Sequence, residues 1–393
     1  MARRAGVAES TVSRALNDSP LITEAIKEKV RAAASELGYI PSKQAANFAR
    51  SRSGTIGLVV PTYSSFPPFS RPYFPALLDG VVMGAAERGY PVTIVPSRVE
   101  TEMADVFSLI KSRAVDGLIF AVTPSDYEPF LELIEAGMPF VLINNYHEGL
   151  SSVDSLPQPG MRRAFSHAWN LGHRRVGYIT GDRRFRNALD RLAAFESLAS
   201  EFGMEVVIIE GDFSRTSGWR GAARLLEGPE PPSMVMTSSD RAALGVLSYC
   251  ADKSISVPRD LSVIGYDNLF PAQDLTPPLS TVDNPVSESG RAGAGLLIDF
   301  LEGIGAWPRQ IWLDTSFVIR QSTGPGPASP MSGESGLSTS TGPGPASPMS
   351  GESGLSTSTG PGPASPISGE SGLSTWPAPS VPGLPQPPGA EMR

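Results

Sequence analysis

One cysteine and three histidines in 393 residues leave little material for several kinds of chemistry. The single thiol, Cys250, excludes an intramolecular disulfide, and its place in a helical stretch reads as small apolar filler. His147, His167 and His173 are too few for a metal cage. No apolar run reaches the roughly 18 residues that cross a bilayer, and no charged-then-apolar leader opens the chain, so a cytoplasmic protein is expected. The phosphate-cradling pattern G-x-x-x-x-G-K-[ST] is missing, as is any plausible His/Cys nucleophile pair. An enzyme is therefore not expected, nor is a cofactor. His173 itself belongs to a Leu-Gly-His-Arg-Arg turn that opens a strand, a structural setting.

What is present is core material: 40% of the residues are hydrophobic, enough for two or three domains at about 100–200 residues each. Charge is unevenly placed. Residues 1–53 carry nine Lys/Arg (Arg3, Arg4, Arg14, Lys27, Lys29, Arg31, Lys43, Arg50, Arg52) against five acids (Glu9, Asp18, Glu24, Glu28, Glu36), a net of +4, while the whole chain is −8. The rest must then carry −12. A basic head on an acidic body suits contact with a polyanion; by charge alone it is equally a solvated basic face.

The far end differs again. From Thr323 to Arg393 there are 15 Pro and 14 Gly in 71 residues, with a tandem T-G-P-G-P-A-S-P-(M/I)-S-G-E-S-G-L-S-T unit of period 18. Each unit offers too little apolar surface to stack as a solenoid or to offset its ordering entropy, so 323–393 reads as a disordered tail. It is either a spacer or docking segment or a tolerated repeat expansion.

Between Thr55 and Thr323 short β-rich runs alternate with longer helical ones. Predicted strands are Thr55–Val60, Val92–Val95, Gly117–Ala121, Phe140–Asn144, Val176–Thr180, Val206–Ile209, Met234–Thr237 and Leu261–Tyr266. Helical stretches between them include Ala76–Arg88, Arg162–Leu171, Asn187–Phe202, Arg215–Leu226 and Arg241–Asp252. Nearly continuous apolar strands imply parallel sheets covered on both faces. Such units close as one barrel or split into two open sheets. The polar break near Glu148–Gly160 divides the strands four and four and favours two doubly wound lobes with a cleft between them. Ligands in open α/β sheets bind outside the carboxyl ends of the strands.

The head is helical. Over residues 6–17, Val7, Val12 and Leu16 share one side, with Glu9, Ser10, Ser13, Arg14 and Asn17 on the other. Gly6 supplies a tight turn before this run. A further helix, Thr23–Leu37, has Thr23 as N-cap, Gly38 as its stop, and Ile26, Val30, Ala33 and Leu37 on its inner face. Short polar side chains with an arginine suit base edges and phosphates, although a small amphipathic bundle would show the same pattern.

Ala5-Gly6-Val7-Ala8-Glu9-Ser10-Thr11-Val12-Ser13-Arg14-Ala15-Leu16-Asn17, followed by Leu37-Gly38-Tyr39-Ile40-Pro41, resembles the head of the LacI/GalR family of bacterial transcription regulators. Further stretches match in order down to residue 323: Leu171-Gly172-His173-Arg174-Arg175, Val263-Ile264-Gly265-Tyr266-Asp267-Asn268, Pro277-Pro278-Leu279-Ser280-Thr281-Val282 and Arg320-Gln321-Ser322-Thr323. The resemblance implies an α/β protein: a helix-turn-helix head (1–40), a hinge helix and linker (41–53) and a two-lobed core like the periplasmic binding proteins (54–322). Lobe 1 would take 54–153 and 284–312, and lobe 2 would take 154–283 and 313–322. It further implies double-stranded palindromic operator DNA, a homodimer, and a small effector of sugar or nucleoside type.

By the same resemblance, Glu9, Ser10, Thr11, Ser13, Arg14 and Asn17 face DNA, and Ala45 and Phe48 belong to the hinge. Phe48 stands where the family places a leucine that wedges into the minor groove. Tyr73, Phe74 and Asn144 from one lobe, with Arg191, Phe213, Ser239 and Asp267 from the other, would bind the effector. Aromatic faces cover the apolar side of a sugar or base while Arg, Asn and Asp bind its polar groups. Simpler readings stand beside these: Asp267 as a helix N-cap, Arg191 as a surface cation paired with Asp190, and Tyr73 and Phe74 as core.

Two departures matter. Only Met1–Arg4 precede Ala5, fewer residues than the family carries, so the first helix reads as shortened and the second as partly unsupported. Either the true start lies upstream or the head binds DNA poorly, which would make the chain a cytoplasmic ligand-binding sensor. Ala8 also replaces the family's serine and removes an N-cap worth about 1 kcal/mol.

Overall fold

The structure, a computed structural model, describes residues 1–16, 19–39, 52–62, 68–98, 104–121, 123 and 128–327. The head forms from α1 (Ala2–Ala5), α2 (Glu9–Leu16) and α3 (Glu24–Glu36). Gly6 ends α1 at φ +67°, the left-handed turn its sequence position required. Met1, Ala2, Ala5 and Val7 pack with Leu16 and Ile22 against buried Val12, Ala15 and Val30, so the single turn of α1 does support α2. Arg4 adds a 2.7 Å ion pair to Glu36 of α3. Ala8 stands at the N-cap of α2, its carbonyl accepting from Thr11 and Val12.

Two expectations for α3 need correction. Thr23 occupies the N-cap but makes no side-chain capping bond. The buried face runs through Lys27, Val30, Ala33 and Ala34, whereas Leu37 is 54% exposed. The helix has ended by then: Gly38 turns left-handed at φ +58°, and Tyr39 N–H closes onto the Ala34 carbonyl, carrying Leu37 off the inner face.

In the core the strands are β1 (Ile56–Thr62), β2 (Val92–Arg98), β3 (Gly117–Ala121), β4 (Phe140–Ile143), β5 (Ser152–Leu156) and β6 (Arg175–Ile179). They continue as β7 (Glu205–Ile209), β8 (Met234–Thr237), β9 (Ser262–Asp267), β10 (Ser280–Asp283), β11 (Gln310–Asp314) and β12 (Ser316–Val318). The intervening helices are α4 (Tyr73–Glu87), α5 (Ala104–Lys111), α6 (Glu128–Glu135), α7 (Pro157–Asn170), α8 (Arg186–Phe202), α9 (Arg215–Leu226), α10 (Asp240–Asp252) and α11 (Val286–Glu302). They build two six-stranded sheets, ordered β11-β5-β4-β3-β1-β2 and β12-β10-β9-β8-β6-β7. Every pairing is parallel except that of β10 with β12. Two open sheets, not one barrel, is therefore the architecture.

Continuous apolar sequence buys what it should: β3, β4, β8 and β9 are buried along their whole length. The edge strands are wetter, with Ile94 of β2 40% and Val206 of β7 36% exposed. On the first sheet α4 and α11 cross at backbone contact, because a Cβ on Gly80 would sit 1.8 Å from the Ser287 carbonyl oxygen.

The polar break near Glu148–Gly160 is not a linker; it contains β5. Its chain passes to the second sheet after Leu156, returns between β10 and α11, and passes over again between β11 and β12. The first passage thus falls three residues beyond the expected lobe boundary at 153, and the last two beyond that at 312. Order also runs past residue 322. Ser322 Oγ donates to the Val263 carbonyl, the Gly324 carbonyl accepts from His173 Nε2 at 3.0 Å, and Gly326 N–H donates to Leu171. Residues 328–393 lie outside the described residues.

Candidate functional site

On α2, Glu9, Ser10, Ser13 and Arg14 are exposed together, and Thr11 is half-buried beside them. This is the polar side the sequence drew. Asn17, Ala45 and Phe48 lie outside the described residues.

The residues expected to bind the effector come from strand ends and helix starts of both sheets. Arg191, on the first half of α8, is 3% exposed and lies in a tightly made nest. It pairs with Asp267 Oδ1 at 3.1 Å, donates to the Ser238 carbonyl at 2.5 Å, and stacks its guanidinium 3.8 Å from the Tyr266 ring centroid. Phe213 lies 5.8 Å away on another side. The surface-cation reading of Arg191 is wrong, since Asp190 pairs with Arg186 instead, at 3.0 Å. Asp267 caps no helix. It ends β9 at φ +112° and its Oδ1 also accepts from Asn284 Nδ2 at 3.1 Å. Burial raises its carboxyl above the usual carboxylate range, and Arg191 pulls it back.

From the first sheet, Tyr73 opens α4 and Asn144 follows β4 at φ +56°. Asn144 Nδ2 donates to Tyr73 Oη. Burial and the charges of Asp267 and Asp154 push the Tyr73 phenol far above its ordinary value, which places it against groups of the second sheet. Phe74 is different: at 4% exposure, edge-on to Tyr73, it belongs to the core beneath the site. Ser239 Oγ caps α10 by accepting from Ala242 N–H and donates to the Phe213 carbonyl at 3.2 Å. Its hydroxyl holds Phe213 in place at φ +64°.

Several side chains at this site were not anticipated. Tyr178 and Tyr266 line it from β6 and β9, and Asn284 reaches it from beyond β10. Arg186 donates to Tyr146 Oη and lies 4.3 Å over that ring, which in turn stands edge-on to Trp312 at 4.9 Å. This clasp joins α8 of the second sheet to β11 of the first. Asp154 of β5 is the largest omission. It is 3% exposed, Oδ1 accepts from Ser155 N–H at 2.7 Å, and burial pushes its carboxyl up to about 7.

Six buried polar atoms around this cluster have no hydrogen-bond partner among the described residues: Asn144 Oδ1, Asp154 Oδ2, Tyr178 Oη, Ser238 Oγ, Tyr266 Oη and Asn284 Oδ1. Asn144 bonds Tyr73, Asn284 bonds Asp267, the Ser238 carbonyl and the Tyr266 ring both meet Arg191, and Asp154 and Tyr178 lie within reach of the Arg191 charge. By contrast, both ring nitrogens of His173 are engaged, by Ser233 Oγ and the Gly324 carbonyl, as its structural reading requires.

Comparison with known proteins agrees with this layout. Residues 1–42 match the pattern of bacterial regulatory proteins of the lacI family, and residues 165–323 match a periplasmic binding protein-like domain. The HTH-type transcriptional repressor CytR of Escherichia coli (strain K12) is 30% identical over 331 residues, covering 82% of this chain and 95% of CytR. The chain belongs to the LacI family. Another LacI-family relative, the HTH-type transcriptional regulator CelR of Thermobifida fusca, is 30% identical over 82% of this chain and 96% of its own. Among solved LacI-family structures, a CelR–cellobiose complex superposes with a TM-score of 0.63 at 30% identity, covering 82% of this chain and 98% of the other. The Lac repressor bound to ONPG in the repressed state does so with a TM-score of 0.66 at 26% identity, over 82% and 98%. These relatives are transcriptional regulators, not enzymes. Among the described residues, no helix is long and apolar enough to cross a membrane.

Proposed function

We propose that this chain is a cytoplasmic transcriptional repressor whose grip on a palindromic operator is set by a neutral sugar bound between the two sheets. The heads of a homodimer would each present Glu9, Ser10, Thr11, Ser13 and Arg14 to one half-site, so that protein and operator share a two-fold axis. The observation that carries the ligand reading is the set of six unpartnered buried atoms. Buried polar groups are ordinarily paired, and leaving one unpaired costs roughly 1–3 kcal/mol. Three of the six are pure acceptors and the other three are hydroxyls, which donate and accept, so the partner that fits them is rich in hydroxyl groups. Tyr73 and Phe213 supply faces for the apolar side of a sugar ring. The related structures, one bound to cellobiose and one to ONPG, support the same class.

A ligand can change DNA affinity only by binding two arrangements of the lobes unequally. The three chain passages are the line about which the lobes would turn, and the Arg186–Tyr146 clasp is a contact that turning would break.

The test uses the full chain. Thermal-shift screening against neutral sugars and nucleosides should find a stabilising ligand, since a binder at 100 times its Kd adds about 2.7 kcal/mol. That ligand should then alter retardation of palindromic DNA, whose affinity falls steeply with salt. A ligand found without any DNA retardation at low salt would make the chain a sensor. Stabilisation by nucleosides alone would replace the sugar.

A further inference from the structure

Asp154 has no counterpart among the residues expected at the cleft, and the fold does not explain it. It sits in the polar run Ser152–Leu156 and its backbone pairs with Trp312 of β11. Its neighbour Val153 packs into the core, and a valine at 154 would serve the strand as well. The carboxyl is 97% removed from solvent, yet among the described residues it receives only the adjacent Ser155 N–H, and Oδ2 receives nothing. The two nearby cations are otherwise engaged, Arg186 with Asp190 and Arg191 with Asp267. A buried carboxylate kept for structure is paired; this one is not.

The groups that feel its charge come from both sheets. Tyr73 of α4 and Tyr146 beyond β4 belong to the first, while Arg186, Asp190 and Arg191 of α8 and Tyr266 of β9 belong to the second. Asp154 therefore lies between the lobes, in the middle of β5 but one residue past the last β4–β5 pair, Ile143 with Val153, and so beyond the carboxyl end of β4, where open α/β sheets bind ligands. Asp154, Asp190 and Asp267 face two arginines, so the site holds a surplus carboxylate.

We propose that Asp154 is a specificity-determining residue of the cleft: its Oδ2 accepts a hydroxyl hydrogen from an uncharged sugar and bars sugars that carry a phosphate or carboxylate. A hydrogen bond to an ionised acceptor is about twice as strong as one between neutral groups. Since this carboxyl titrates at about 7, the grip strengthens as pH rises from 6 to 8. The inference rests on the sugar-binding reading of the cleft.

The experiment compares wild type and Asp154→Asn, full-length, by calorimetry and thermal melting with ribose, cellobiose, glucose 6-phosphate and gluconate at pH 6 and 8. Asparagine keeps the acceptor for Ser155 N–H and loses the charge. The neutral sugar that binds wild type should bind Asp154→Asn at least tenfold more weakly, with the pH dependence gone. Without ligand the variant should melt higher than wild type, because an unpaired buried charge has been removed; a structural role would make it melt lower. Sugar binding within twofold of wild type, or a lower ligand-free melting point, overturns the assignment. A wild type stabilised only by the two anionic sugars overturns it while leaving the cleft reading intact. A wild type stabilised by none of the four overturns both.

Discussion

Removing Arg191 should damage this protein more than removing a surface arginine could, and the size of the loss follows from what remains behind. Arg191→Met keeps the aliphatic packing but leaves Asp267 7% exposed with Asn284 Nδ2 as its remaining side-chain donor. Breaking one half of a buried ion pair costs about 3–5 kcal/mol, because the other charge stays buried. With a urea m value of about 3 kcal/mol/M, the unfolding midpoint should fall by about 1–1.7 M. Asp267→Asn is milder, since the guanidinium keeps the Ser238 carbonyl and the Tyr266 face; about 1–3 kcal/mol is expected. The double variant should lose less than the two singles together, with a coupling above about 1 kcal/mol. pH supplies a second check. The folded carboxyl of Asp267 is raised above its unfolded value, and without Arg191 nothing cationic holds it down. The penalty of Arg191→Met is therefore largest at alkaline pH and shrinks as acid neutralises Asp267. Urea titrations at pH 8 and 5.5 measure all of this. Additive single and double effects, or a penalty that grows in acid, would refute the reasoning.

Three other outcomes are expected. Gly80→Ala should destabilise the first lobe by about 1–3 kcal/mol or more, read as a lower melting point, because its methyl would meet the Ser287 backbone across the α4–α11 crossing. Arg14→Ala should weaken operator binding by about 1–3 kcal/mol and reduce its salt dependence while leaving ligand-induced thermal shifts unchanged, as befits an exposed side chain of α2. Asp154 should make the ligand-free protein less stable as pH rises between its ordinary 3.8 and about 7, by up to about 4 kcal/mol at 1.36 kcal/mol per unit; urea unfolding of Asp154→Asn should show a flatter pH profile.

Much of the fold was legible because apolar runs such as Gly117–Ala121 and Met234–Thr237 can only be strands buried on both faces. The unread strands are the ones that depart from that rule. Ser152–Leu156 and Ser280–Asp283 carry hydroxyls and carboxylates at buried positions, so a hydropathy pattern reports them as linker. Gln310–Asp314 lies at a sheet edge with every residue exposed or half-buried, so it shows no apolar run, and Ser316–Val318 is too short to show a period. The site divides in the same way. Arg191 and Asp267, both expected in the cleft, are brought together by the fold and pair at 3.1 Å. Phe74 lies beneath the site rather than in it, and one more turn of reasoning about α4 would have shown it: Leu77 and Val81 continue its face into the core. Asp154 was missed for the reason β5 was missed, since a carboxylate in a polar stretch draws no notice until the stretch is known to be buried.

The last passage of the chain between the sheets has a consequence for synthesis. One of the two edge strands of each sheet, β11 or β12, comes from the same nine residues, Gln310 to Val318. A ribosome working from the N-terminus thus holds both lobes with an open edge until those residues emerge, and closes both almost at once. A stop codon shortly before Gln310 would leave two unfinished sheets, each with a bare ladder ready to pair with a neighbour, instead of one sound lobe and one lost.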